Sequence, residues 1–163
     1  MLIWVIDSSS IIEVKQVPLN LRPRVIAHLD QMAAEGRLKY IPQVLAELKR
    51  YTPPKGLKDD LPYTWAKRNE AQASYSDPLF LEAKVILREH PDLIDPDKAG
   101  QDPADPYVIA LAQKLRSDGS DARIVTNDTR NVNKKVSVAA VAGLLGVPST
   151  VMRLFLRGEG YPY

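Results

Sequence analysis

The stretch IWVIDSSSII (residues 3–12) runs apolar for four residues, stops at one aspartate and then offers three serines. Short, β-rich and apolar on both faces, residues 2–6 read as a strand buried on both sides, the kind that parallel sheets contain. Asp7 therefore stands at the end of a buried strand. An isolated charge there costs free energy unless it is paired, hydrogen-bonded or bound to a cation. Two readings follow: Asp7 caps a helix beginning at Ile11 or turns the chain, or it is a metal ligand.

The rest of the chain repeats the pattern of strand and helix. LRPRVIAHLDQMAAEGR has apolar residues at Leu21, Val25, Ile26, Leu29 and Met32, which predicts a helix stopped by Gly36. A helical turn is expected at residues 9–15, a short strand at LKYI (38–41), and a helix opened by Pro42 over PQVLAELKRY. PPKGLKDD (53–60) reads as a loop, LPYTWAKRNEAQAS as a helix, and DPLFLEAKVILREH as another with Asp77 as its N-cap and Pro78 behind it. The stretch at 91–106 is rich in proline and aspartate and reads as a loop. YVIALAQKLRSDG predicts a helix ending at Gly119, ARIVT (122–126) a second buried strand, SVAAVAGLLGVP a helix closed by Gly146 and Pro148, and TVMRLFLRG a last helix. Strands alternating with helices predict an α/β fold with a mostly parallel sheet. The expectation is a single domain over residues 1–163, with a helical-hairpin insertion at about 60–90.

Composition narrows the chemistry. The 163 residues carry a formal net charge of +2, with a sequence pI near 8.8, which permits an anionic partner without demanding one. There is no cysteine, so disulfides, thiolate zinc sites and thiol catalysis are excluded. The two histidines, His28 and His90, are far apart and read as helix-surface residues, which disfavours a histidine-rich metal centre or a Ser-His-Asp triad. No apolar run approaches the roughly 18 residues that span a membrane. MLIWVI has no basic leader, so no targeting segment and no membrane are expected, and the absence of cysteine points to the cytoplasm. Any active chemistry falls to carboxylates.

Two acids follow predicted strands, Asp7 after IWVI and Asp128 after IVTN, and ligands of open parallel sheets bind outside those strand ends. Glu47 lies in the helix after LKYI, and Asp105 opens YVIALAQKL three residues after Asp102. Each has a plain structural alternative. Asp105 ahead of Pro106 suits an N-cap, Glu47 a solvated residue paired with Arg50, and Asp128 an Asx-turn.

Their order carries a resemblance. A first strand ending D-S-S, then I-P-x-V-x-x-E-L, D-P-x-x-I-A-L-A and V-T-x-D, from residue 3 to about residue 128, resembles the PIN-domain nucleases. The resemblance implies a PIN-like three-layer α/β/α fold with Asp7, Glu47, Asp105 and Asp128 as catalytic, metal-binding acids. Ser9 and Thr126 match supporting positions, and Asp102 competes with Asp105, which the following IALA favours. It also implies a divalent-metal-dependent endoribonuclease similar to the toxin half of a VapC-type toxin–antitoxin pair. RNA, a cognate antitoxin and a second copy of the chain are the partners so implied. Oxygen-only ligands select hard ions, Mg²⁺ or Mn²⁺, and such an ion relieves the repulsion among converging acids.

Arg130, Lys134, Lys135 and Lys49 are candidates for contact with substrate phosphates, as are Arg50, Lys55 and Lys58. Tyr63, Trp65 and Tyr75 are candidates for base stacking, although helical spacing favours the core for Trp65. Two other enzyme classes fit less well. Haloacid-dehalogenase-like phosphatases need a second aspartate where this chain has Ser9, and response-regulator receivers need an acidic pair at the first strand. The non-enzyme alternative is a catalytically inert PIN-like module that binds RNA or protein.

Overall fold

The computed structural model describes residues 1–50, 60–98 and 102–163. Four parallel strands form one sheet: β1 (Leu2–Ile6), β2 (Leu38–Lys39), β3 (Asp121–Val125) and β4 (Ser149–Thr150), in the order β2-β1-β3-β4. Ile3, Val5 and Ile6 of β1 are buried, as are Ala122, Ile124 and Val125 of β3. These two central strands pair along their whole length, from Leu2↔Asp121 to Ile6↔Val125. The register brings the next residues, Asp7 and Thr126, to the same sheet edge.

Strand order reverses between β1 and β3, because β1 leads to β2 on one side and β3 to β4 on the other. Right-handed crossovers then put the β1–β2 connection, which contains α1 (Ser8–Glu13) and α2 (Arg22–Ala34), on one face. The connections carrying α7 (Asp105–Ser117) and α8 (Val138–Leu144) take the opposite face. The result is a three-layer α/β/α architecture whose topological switch point lies at Asp7.

Between β2 and α7 come α3 (Pro42–Arg50), α4 (Leu61–Arg68), α5 (Glu70–Ala73) and α6 (Phe80–Glu89), and α9 (Met152–Gly158) closes the chain. Helix α7 is the most enclosed: Pro106 through Ala112 are all buried. One apolar core joins the sheet to these helices, with Tyr40, Trp65, Ile109 and Leu111 among its larger members.

Several expectations need correction. The helix after β1 starts at Ser8 rather than Ile11, because the Asp7 carboxylate accepts from the Ser10 amide at 2.9 Å and caps it there. LKYI is a strand only at Leu38 and Lys39. Tyr40 turns to other partners, with its amide bonded to the Ala73 carbonyl at 3.0 Å and its carbonyl accepting from the Tyr75 amide at 2.8 Å. The helix from Leu61 breaks at Asn69, whose side-chain amide donates to the Trp65 carbonyl at 3.0 Å. Asp77 does not cap α6, which opens at Phe80 with the buried Leu79 in the cap position. Two 3-10 turns, Pro91–Leu93 and Pro96–Lys98, occupy the stretch expected to be plain loop. Residues 53–59, including Lys55 and Lys58, lie outside the described residues, as do residues 99–101.

Candidate acidic site

Asp7 is 3% exposed, and its carboxylate is held by neutral donors. Oδ1 accepts from the Ser9 hydroxyl at 2.8 Å and the Ser10 amide at 2.9 Å, and Oδ2 accepts from the Thr126 hydroxyl. A carboxylate has about four lone-pair positions, and these three bonds, with the Ser10 hydroxyl also interacting with the carboxylate, take up most of that capacity. Burial pushes the Asp7 carboxyl above its ordinary value, opposed by the Thr126, Ser10 and Ser9 hydrogen bonds. Asp7 thus caps α1 while its carboxylate stands at the switch point.

Ser9 and Thr126 do more than face Asp7. The Ser9 hydroxyl also accepts from the Asn127 amide at 3.0 Å, and the Thr126 hydroxyl accepts from the Asp128 amide at 3.0 Å. Each hydroxyl therefore clamps the end of β1 to the end of β3.

Asp128 looks outward from that clamp. Its Oδ2 accepts from the Lys135 ammonium at 2.6 Å and from the Val138 amide at 3.1 Å, at the first residue of α8. This bond, ten residues along, is a helix-terminus contact rather than the Asx-turn expected as the alternative. Lys135 also lies 3.1 Å from Oδ2 of Asp105, so a single ammonium bridges the two acids. Asp105 is the first residue of α7 and Ala104 takes the cap position, so the N-cap alternative for Asp105 does not hold. Burial is the main influence on the Asp105 carboxyl and pushes it up to about 6; Lys135 pulls it down, while the charges of Glu47 and Asp7 push it up. Burial works against the Lys135 ammonium, yet Asp105 and Asp128 hold its pKa above the ordinary lysine value.

Glu47 ties a third helix into the same place. It accepts from the Ser8 hydroxyl at 2.5 Å and from the Ala104 amide at 2.8 Å, linking α3 to the starts of α1 and α7. All four acids named from the sequence therefore lie along one polar network at the switch point. They are not drawn into a ready-made metal cage: among the described residues no group of three or more His, Cys, Asp or Glu side chains is placed to hold a metal ion.

The remaining candidates are scattered. Asp102 is exposed and meets Gln43 at 3.4 Å, outside the network. Lys49 is exposed two residues past Glu47, roughly 200° around α3. Arg130 and Lys134 are exposed on the loop after Asp128. Trp65 is buried in the core, and Tyr63 and Tyr75 pack against it. His28 pairs with Glu159 at 2.8 Å, and His90 sits at the C-terminal cap of α6.

Ser8, Asn127 and the bridging role of Lys135 were not read from the sequence. Ser8 carried a signal, as one of the three serines after Asp7. Asn127 accepts from the Met152 amide at 2.9 Å, a contact with nothing local to announce it.

An open cleft of about 560 Å³ adjoins the network and shares Lys135 with it. Pro91, Asp92, Ile94 and Pro96 form one wall, and Asn131, Asn133 and Lys134 contribute to the other. None of the four network acids lines it.

Fold and site together define an α/β protein with a carboxylate network at the switch point of a parallel sheet. The family described as a domain of unknown function (DUF4411) matches residues 4–162, and the chain belongs to that family. No curated protein matches it. Among the described residues, no helix is long and apolar enough to cross a membrane.

Proposed function

We propose that the chain is a PIN-like, divalent-metal-dependent endoribonuclease that hydrolyses RNA phosphodiester bonds. It would act in the cytoplasm as the toxin of a toxin–antitoxin pair, with a cognate antitoxin and a second copy of itself as partners. The whole chain would form one PIN-like domain, with residues 60–90 as its helical insertion. One observation carries the reading: the four acids of the resemblance, 121 positions apart at their extremes (128 − 7), end on one network at the switch point.

The residues suit Mg²⁺ or Mn²⁺ in kind. The candidate ligands are all oxygen, the donors that hold Asp7 are neutral and leave its charge uncancelled, and the Lys135 ammonium between Asp105 and Asp128 marks a place where positive charge is stable. Asp7, Asp105 and Asp128 would hold the ion, with Glu47 beside them. When bound, such an ion acidifies water and neutralises charge on phosphoryl oxygens. The chain's own part is positional. Ser9 and Thr126 fix the Asp7 carboxylate and the β3 end in one frame, and Glu47 anchors the start of α7, from which Asp105 projects.

The reading is tested with single-stranded RNA of mixed sequence, incubated with purified protein in Mn²⁺ or EDTA. Cleavage by the wild type in Mn²⁺ alone, lost in Asp7→Asn, is the expected result. Equal cleavage by Asp7→Asn would remove Asp7 from the site. The second reading, an inert binding module, is favoured by the ion-paired state of Asp105 and Asp128. It predicts RNA binding that persists in EDTA, without cleavage.

A further inference from the structure

Lys135 belongs to two places at once. Its ammonium has three donors, and the structure engages all of them: Asp128 at 2.6 Å, Asp105 at 3.1 Å and the Val136 carbonyl at 3.3 Å. Its side chain also lines the 560 Å³ cleft and an adjoining hollow of about 290 Å³. The backbone beneath it is pinned. Val132 and Lys135 exchange both amide hydrogen bonds, at 2.9 and 2.7 Å, around a tight turn with Asn133 in the left-handed region at φ 37°. The backbone is thus pinned at Lys135, and the ammonium stands at the end of a four-carbon stem on the border between network and cleft.

The cleft is poorly suited to an anion while the Lys135 ammonium on its border is held by Asp105 and Asp128. Asp92, Asp95 and Asp97 border the two hollows, and they outnumber the exposed Lys134. An ammonium released from the network would alter that balance and stand next to Lys134, on the next residue of the same turn.

Resting on the metal-dependent reading above, we propose that Lys135 is a resident counter-ion displaced by the divalent cation, and that its ammonium then takes a phosphate of the RNA strand in the adjoining cleft. Two cations do not share the space between Asp105 and Asp128, so the metal and the ammonium compete for it. RNA supplies the displaced ammonium with a new anionic partner. Metal and RNA therefore strengthen each other's binding, and linkage makes the effect reciprocal.

The test is calorimetric titration of Mn²⁺ into the wild type, Lys135→Met and Lys135→Arg, each as the full chain without RNA. Methionine keeps the stem and removes the competitor, so K135M should bind Mn²⁺ at least tenfold more tightly, while K135R stays near the wild type. Fluorescence anisotropy with a phosphorothioate-linked single-stranded RNA then reads the second half. Mn²⁺ should tighten binding to the wild type severalfold and to K135M much less.

Equal Mn²⁺ affinity in the wild type and K135M overturns the displacement and leaves the nuclease reading standing. Absence of Mn²⁺ binding in all three proteins overturns both. Tight Mn²⁺ binding by K135M with undiminished coupling to RNA overturns the phosphate contact alone. If K135M does not fold without metal, its refolding on addition of Mn²⁺ is followed by circular dichroism, and failure to refold overturns the displacement.

Discussion

The two ends of the acid network satisfy their charges in different ways. At the inner end, Asp7 is enclosed by hydroxyls and an amide from two strand ends and a helix start, none of which carries charge. At the outer end, Asp105 and Asp128 share one long, flexible cation that is 22% exposed. Neutral donors fixed to the backbone hold a carboxylate in place without cancelling its charge. A lysine cancels charge but leaves readily, being a strongly hydrated point charge on a flexible stem. The inner end is therefore built as a permanent fixture and the outer end as an exchangeable one.

The most severe way to break the inner end is Asp7→Asn. The amide can still cap α1, but it loses the negative charge and turns an acceptor that faces the Thr126 hydroxyl into a donor. RNA cleavage in Mn²⁺ should fall roughly a thousandfold, the scale of removing one preorganised charge-stabilising group from a site. A rate assay on purified protein checks it, with circular dichroism to show that the variant is folded.

Thr126→Val comes next and separates structure from charge. Valine matches the shape but leaves Oδ2 of Asp7 without its donor and the Asp128 amide without its acceptor, both at a fully buried residue. Each unmet buried group costs about 1–3 kcal/mol, and the Asp128 amide, only partly buried, falls at the low end, so chemical denaturation should show a loss of about 2–4 kcal/mol. A loss below about 1 kcal/mol would mean that water replaces the hydroxyl and that the inner end is less closed than its burial implies.

How far these ends were legible in the sequence follows the same division. Asp7 announced itself because its neighbours are local: an apolar strand before it and serines after it. The Pro42 helix start and the β1 and β3 strands were legible for the same reason. Lys135 stands out only as a basic residue near Asp128, since its bridging role needs Asp105, which lies 30 residues earlier and arrives through the packing of α7. Strand β4 is only Ser149 and Thr150, too short to carry any alternation, and exists because β3 offers it an edge. Asp77 and Pro78 read as a good capping pair, yet α6 opens at Phe80 with the buried Leu79 in the cap position.

The outer end can be read through pH. The Asp105 carboxyl titrates near 6 in the folded chain, above its ordinary 3.8, so the folded state holds on to its proton longer than the unfolded chain does. A raised carboxylate pKa means that stability is highest below the ordinary value and declines as pH rises from about 4 to about 6. Asp105→Asn removes that titration and should flatten the decline by about 2–3 kcal/mol in metal-free buffer. Asp7, shifted in the same direction, keeps part of the slope in the variant. Urea titrations at pH 4, 5, 6 and 7 in EDTA check this. An unchanged slope would assign the pH dependence to the inner end.

Ser8→Ala should have the smallest effect and sharpens the comparison from a third side. The Ser8 hydroxyl donates to Glu47 at 2.5 Å, in a partly buried setting between the two ends. Glu47 keeps its bond from the Ala104 amide in the variant, and water can reach the vacated oxygen, so the loss should be about 1 kcal/mol or less. Thermal unfolding in EDTA measures it. A loss as large as that of Thr126→Val would place Glu47 with the inner, backbone-fixed acids, because only a closed site charges the full desolvation cost for one missing donor. A small loss places it with the outer acids, where a carboxylate can change partners, and makes the start of α7 the hinge between fixed and exchangeable charge.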